Sequence, residues 1–176
     1  MSIVIKIKGQ EYLDCIEASK NMWCSSKAGF YGRGILNKQK DPHRTERLGR
    51  LGEKALSKYL KRDVNFKYVK GGDSGDLISE SKIDIKTASY NYGALLIQAE
   101  NEFGKKNKIK CDIYVAAICE SDDGENKEAT IRLVGWCDKT FIENQKMVPA
   151  RVGKHKNYDI AYENLNPIET LKENFK

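Results

Sequence analysis

No stretch of the 176 residues approaches the run of about 18–20 apolar residues that a membrane-spanning helix needs, so no such span is expected. The opening, MSIVIKIKGQEYLD, alternates apolar residues with lysines and leads to no small-residue cleavage site, which is not the pattern of a signal peptide. Histidine is scarce. His43 and His155 stand isolated, which leaves an HNH-type centre or a Ser-His-Asp triad without partners. The five cysteines (Cys15, Cys24, Cys111, Cys119, Cys137) form no CxxC pair and have no histidine at ligand spacing, so zinc and iron–sulfur centres lack their pattern. An odd count without a signal peptide fits reduced thiols in a cytoplasm, that of the host cell if the gene is carried by a phage or mobile element. The cysteines are expected as small core residues. The sequence also lacks repeats, low-complexity segments and dividing linkers.

The composition is that of a soluble globular chain long enough for one domain, with 40% hydrophobic and 32% charged residues. The net charge of +6 is mild, but its distribution is uneven. Lysines crowd residues 105–110 (KKNKIK), and basic residues recur through 44–62 and 146–156. Such patches suit a polyanion as well as a solvated surface.

Strands are expected at 3–7, 64–69, 76–78, 82–87, 94–98, 111–119 and 129–136. The apolar run CDIYVAAIC at 111–119 reads as a strand buried on both faces. Helices are expected at 10–28, with Tyr12, Leu13, Ile16, Met22 and Trp23 as apolar members, and at 42–61, where Asp41-Pro42 supplies an N-cap and first-turn proline. A third, closing helix is expected at 166–175. Between the first two helices, residues 28–41 read as a glycine-rich connector. In the second helix Gly49 and Gly52 fall near the apolar stripe, where they would permit close approach to a sheet. Glu53 lies about 20° from Leu60 around the helix, at the stripe's margin, and so points along the helix–sheet seam. Trp23 and Trp136 sit among apolar neighbours and are expected in the core. Strands mixed with a few helices predict an α/β fold, a single domain with a mixed central sheet flanked by helices.

Residues 82–87 (KIDIKT) carry the chemistry. Strand alternation puts Ile83, Ile85 and Thr87 on one face, and Asp84 and Lys86 about 7 Å apart on the other. A tight hairpin between 76–78 and 82–87, turned by Ser-Glu-Ser, would bring Asp76 opposite Asp84, and Glu53 could join from the helix seam. Clustered carboxylates cannot all stay ionised without a cation. A hard divalent ion such as Mg²⁺ takes oxygen ligands of this kind and keeps waters that a substrate phosphate can replace. Lys86 beside them could orient a water or neutralise charge on a phosphate.

The order Glu53 … Asp76 … Asp84-Ile85-Lys86 resembles the PD-(D/E)xK nuclease superfamily, in which a helix glutamate precedes a hairpin carrying an aspartate and then a (D/E)-x-K strand. Glycine rather than proline precedes Asp76, and an aspartate stands where glutamate is frequent. Asp73 rivals Asp76, but Asp76 is followed by Leu77-Ile78, as a strand residue should be. LLIQAENE, the lysine-rich turn, CDIYVAAIC and IRLVGWCDKTFI resemble later core elements of phage-type members. The resemblance therefore spans about residues 48–142.

The resemblance implies a restriction-endonuclease-like core at about 42–142, with elaborations at 1–41 and 143–176. It implies that Asp76, Asp84, the Ile85 carbonyl and Glu53 hold Mg²⁺, for which Mn²⁺ would substitute. Lys86 would activate water for hydrolysis of a DNA phosphodiester, leaving 5′-phosphate and 3′-hydroxyl ends. Glu53, Asp76, Asp84 and Lys86 are thus the expected catalytic set of an endonuclease. A catalytically inactive nucleic-acid-binding or interaction protein on the same fold is the alternative. Arg44, Arg47, Arg50, Gln98, Lys105, Lys106, Lys108 and Lys110 are candidates for DNA contact. A double-strand cutter would call for a homodimer, a nickase for a monomer. Gln98 is followed at exonuclease spacing by Glu102 rather than tyrosine, so the Q-x-x-x-Y element is not assigned.

Overall fold

The computed structural model of the protein describes residues 2–28, 44–64, 81–91, 93–100, 103–150 and 154–174. The expected strands at 76–78 and, beyond Val64, at 64–69, together with Asp73, Asp76, His43, the Asp41-Pro42 cap and the connector after residue 28, lie outside the described residues. The side chain of Trp23 does so too.

The chain opens with β1 (Ile3–Lys8), where Ile3, Ile5 and Ile7 turn toward the core and Val4, Lys6 and Lys8 toward water. Gly9, at φ +58°, makes the left-handed turn into α1 (Gln10–Ala28), and its carbonyl accepts from Leu13 N–H at 3.1 Å. Tyr12 and Cys15 of α1 are buried, while Leu13, expected inward, is 37% exposed. Helix α2 (Arg44–Leu60) buries Leu51, Ala55 and Leu56 on one stripe.

The main sheet runs β1–β5–β4–β2, with β2 at Ile83–Ala88, β4 at Ile113–Asp123 and β5 at Glu128–Asp138. β1 and β4 are antiparallel to β5, whereas β2 is parallel to β4, so the sheet is mixed. Helices α1 and α2 cover one face. The other face carries a second sheet, in the order β3 (Ala94–Gln98), β7 (Lys156–Ala161) and β6 (Met147–Pro149). The short α3 (Lys139–Glu143) completes this side. Asp138 caps it, accepting from Phe141 N–H at 2.7 Å.

Strand β4 explains both cores. Ile113, Val115, Ala117 and Cys119 pack with α1 and α2, whereas Tyr114 and Ala116 pack with Leu95, Ile97, Tyr158 and Ile160 of the second sheet. The apolar run at 111–119 is therefore buried on both faces, as expected. β3, expected as one more strand of a single sheet, instead pairs with β7.

The closing helix expected at 166–175 is a correction. Asn166–Pro167 forms β8 on β5, Ile168–Thr170 a 3₁₀ turn, and only Leu171–Asn174 (α4) is α-helical. A residue before proline disfavours the helical region, which keeps Asn166 extended. The Trp136 indole N–H then fixes the segment by donating to Pro167 O and Thr170 Oγ1. Trp136 is 7% exposed, a core residue as expected.

The two glycines of α2 play different parts. A Cβ on Gly52 would lie 1.8 Å from Thr87 Oγ1 and 3.1 Å from Thr87 Cβ, so this glycine lets α2 settle on β2. A Cβ on Gly49 would meet nothing within 4 Å. Gly52→Ala should therefore destabilise the protein by about 1–3 kcal/mol through overpacking against a stiff β-branched side chain. Gly49→Ala should be neutral, or stabilising by up to about 1 kcal/mol through helix propensity. Urea unfolding of both variants checks this; equal effects would remove the close-approach role from Gly52.

Cys15, Cys111, Cys119 and Cys137 are buried thiols outside any disulfide, as expected. Burial pushes the thiols of Cys15 and Cys137 up to about 12, and that of Cys119 up to about 11, from an ordinary 9.0. Below pH 9 these thiols are protonated in folded and unfolded chains alike, and stability is whole. Above it the unfolded chain ionises first, so stability drains away as pH rises toward 12. Denaturant midpoints should accordingly be flat up to about pH 9 and fall above it. A thiol reagent at about pH 8 should leave these four cysteines unlabelled until the chain unfolds.

Candidate active site

The site forms where α2 crosses β2, which is an edge strand among the described residues. Strand alternation sends Ile83 and Ile85 into the helix-side core, and puts Asp84 and Lys86 on the face shared with Tyr114 and Ala116, their register partners on β4. The start of the strand is pinned by Asp112. Its N–H donates to Lys82 O at 2.8 Å, and its Oδ2 accepts from Lys82 N–H at 2.9 Å.

Asp84 is only 4% exposed, and Lys86 Nζ lies 2.6 Å from its Oδ2. The lysine reaches in from a side chain that is nearly half open to water. Glu53 is 5% exposed on the helix seam, as its angular position predicts, and forms a buried ion pair with the Arg50 guanidinium one turn earlier. Glu53, Asp84, Ile85 and Lys86 border one cavity of about 490 Å³, together with Arg50 and Thr87. Residues 31 positions apart in sequence, two of them buried acids, thus meet in one space. Thr87 Oγ1, in the same wall, is buried and has no hydrogen-bond partner among the described residues.

A second cavity, of about 430 Å³, is also lined by Asp84 and Lys86, here with Gln98, Lys108 and Lys110. Three of the expected nucleic-acid contacts therefore gather beside the acid–lysine pair. Lys105 and Lys106 are exposed on the loop leading in. The arginines divide differently. Arg44 is exposed, with its guanidinium 5.9 Å from the centre of the Tyr90 ring. Arg47 donates to Asp122 Oδ2 at 2.7 Å, and Asp122 also accepts from the Tyr12 hydroxyl. Arg50, expected to face phosphate, is 8% exposed and engaged with Glu53.

Sequence reasoning passed over Arg50 as the partner of Glu53, although their i,i+3 spacing was the available signal. It also passed over Tyr114, which lines the second cavity and whose hydroxyl burial pushes up to about 12, so it remains a neutral hydrogen-bonding group. Its place opposite Asp84 follows from strand register, which a single strand's pattern does not contain.

Among the described residues lining the cavity, the carboxylates of Glu53 and Asp84 are oxygen donors of the kind a hard dication takes, and no histidine or cysteine is present. Among the described residues, no group of three or more histidine, cysteine, aspartate or glutamate side chains could hold an ion. The third expected acid, Asp76, lies outside them. Comparison with protein-family models, with curated proteins and with solved structures returned no match.

The buried ion pair gives a direct test. Arg50→Met leaves the Glu53 carboxylate buried without its guanidinium and should cost about 3–5 kcal/mol. Arg50→Met with Glu53→Leu replaces the whole pair by apolar side chains and should recover most of that loss. Urea titration of the three proteins reads it out, and a single variant as stable as the parent would mean that Glu53 is not held by Arg50.

Proposed function

We propose that the protein is a Mg²⁺-dependent DNA endonuclease of the PD-(D/E)xK type, cutting or nicking its substrate by hydrolysis of a phosphodiester bond. One observation carries the reading. Two acids from separate elements, Glu53 and Asp84, are withdrawn from water into one cavity, with Lys86 held on Asp84 at its mouth. Buried acids and a lysine gathered from two elements into one cleft are the kind of cluster that functional sites use.

In this reading Glu53, Asp84, the Ile85 carbonyl and Asp76 would hold Mg²⁺, which supplies neutralisation of the phosphate and a more acidic water. Lys86, half exposed and tethered at its tip to Asp84, would orient the attacking water or take up charge building on the phosphoryl oxygens. The water oxygen bonds to phosphorus as the P–O3′ bond breaks. The strand is left with 5′-phosphate and 3′-hydroxyl ends. Gln98, Lys108 and Lys110, around the adjoining cavity, would bind the backbone on either side.

A second reading has its own observation. The ion pairs Arg50–Glu53 and Lys86–Asp84 already answer both acids with the chain's own cations, as a nucleic-acid-binding module without catalysis would.

Supercoiled plasmid incubated with Mg²⁺, Mn²⁺ or EDTA separates the two. The nuclease converts plasmid to nicked or linear form in either metal and not in EDTA. Lys86→Ala and Asp84→Asn should each lose at least about 100-fold in rate. Lys86→Ala also leaves the buried Asp84 without its cation and should lower the circular-dichroism melt, so each variant is assayed well below its own midpoint. A protein that shifts DNA on a gel, cuts none of several unrelated plasmids and binds equally well as Asp84→Asn is the binding module.

A further inference from the structure

The loop from β3 to β4 holds out the most exposed of the large hydrophobic side chains among the described residues: Phe103 is 92% exposed. The loop's base is closed by a bridge between Glu100 and Lys106. Asn107 ties it further, its N–H donating to Ala99 O at 2.7 Å and its Nδ2 to Gln98 O at 3.3 Å. Gly104, at φ +74°, turns the chain directly after the phenylalanine. The ring thus stands at the head of a backbone-anchored projection rather than on the flank of an element.

Its surroundings select a partner. Lys105, Lys106, Lys108 and Lys110 are all exposed, and neither Lys106 nor Lys108 has an acidic partner among the described residues. Asn107, Lys108 and Ile109 form the wall between two cavities. On one side lie Asp84, Lys86 and Gln98; on the other, in about 530 Å³, lie Lys106, Lys139 and Tyr158. An aromatic ring beside a track of ammonium groups matches a polyanion that also presents flat apolar faces. Nucleic acid is such a molecule. In a duplex both faces of a base are covered by its neighbours, whereas a single strand offers faces on which a projecting ring can stack. One phenylalanine is too little apolar surface to anchor a membrane, and the lysines line concave walls rather than a flat face.

We propose that Phe103 and the lysines of 105–110 form a finger for single-stranded DNA, in which Phe103 stacks on an unpaired base while Lys106 and Lys108 hold neighbouring phosphates. The strand then runs over Lys108 toward Asp84 and Lys86, so that the substrate of the site carries a single-stranded segment. That last step rests on the nuclease reading, whereas binding by the finger does not.

Fluorescence anisotropy of a labelled oligothymidylate, and of a duplex of equal length, tests this with the whole protein in EDTA. The protein should bind the single strand more tightly. Phe103→Ala should weaken that binding by about ten-fold or more, and Phe103→Trp should restore it. The ring is exposed, so both variants should melt as the parent does. Lys108→Ala should flatten the dependence of log affinity on log salt by about 0.7, the slope that neutralising one phosphate carries. Single-strand binding unchanged by Phe103→Ala, preference for the duplex, absence of DNA binding, or Phe103-dependent binding to phosphatidylserine vesicles in place of DNA would each overturn the finger. Cutting is scored separately by adding Mg²⁺. A Phe103-dependent complex that is never cut overturns the nuclease reading and supports the finger. Mg²⁺-dependent cutting with binding indifferent to Phe103 does the reverse.

Discussion

A carboxylate taken out of water must be answered by opposite charge or by proton uptake, and the arrangement around Glu53 and Asp84 follows from that demand. Glu53 is answered by Arg50 from its own helix, and Asp84 by Lys86 from its own strand. Both solutions are local, so neither depends on a distant segment being in register. What is not local is that the two pairs border one cavity. That depends on how closely α2 approaches β2, and hence on Gly52. A side chain there would strike Thr87, one residue beyond Lys86. The helix–strand approach and the placement of the acids are thus a single constraint seen from two sides.

The central strand makes the approach possible. β4 is buried along Ile113–Cys119 and feeds side chains alternately to the helical layer and to the second sheet. β2 lies parallel beside it, so each residue of β2 shares a face with its partner on β4. Asp84 therefore takes the face of Tyr114, and Lys86 that of Ala116. The small side chain of Ala116 leaves space beside Lys86, and this alanine lines the first cavity. On the same face the second sheet brings Gln98 to the far side of the acid–lysine pair.

Much of this was legible in the sequence where the deciding physics is local. Alternation in KIDIKT separated Ile83 and Ile85 from Asp84 and Lys86, and the unbroken apolar run at 111–119 marked a two-faced strand. The helical period placed Glu53 on the seam. Sheet membership was not legible. The period of ALLIQ states that one face of β3 is buried but not against which layer, and its partner β7 lies more than 50 residues on. The end of the chain misled for a similar reason. NPIETLKENF has a helical composition, but Asn166 is held extended before Pro167, and the Trp136 indole anchors the turn from 31 residues away. Arg50 was read by its residue type as a surface cation. Its burial depends on Glu53 being buried first, a coupling that composition does not express.

The charges at the site bear on how a metal-using nuclease would operate there. Among the described groups that border the first cavity, Glu53 and Asp84 contribute two negative charges and Arg50 and Lys86 two positive, so these four cancel. A dication approaching these two acids would gain little by itself, because each already has a cation at hand. The balance changes when a phosphodiester enters as well, for its negative charge offsets part of the ion's and supplies further oxygen ligands. On the nuclease reading Lys86 would then be drawn between Asp84 and the phosphate, with a long, half-exposed side chain to reach either. Arg50, enclosed beside Glu53, has no such latitude. On the nuclease reading the two cations therefore differ in kind: Arg50 positions an acid, while Lys86 follows the substrate.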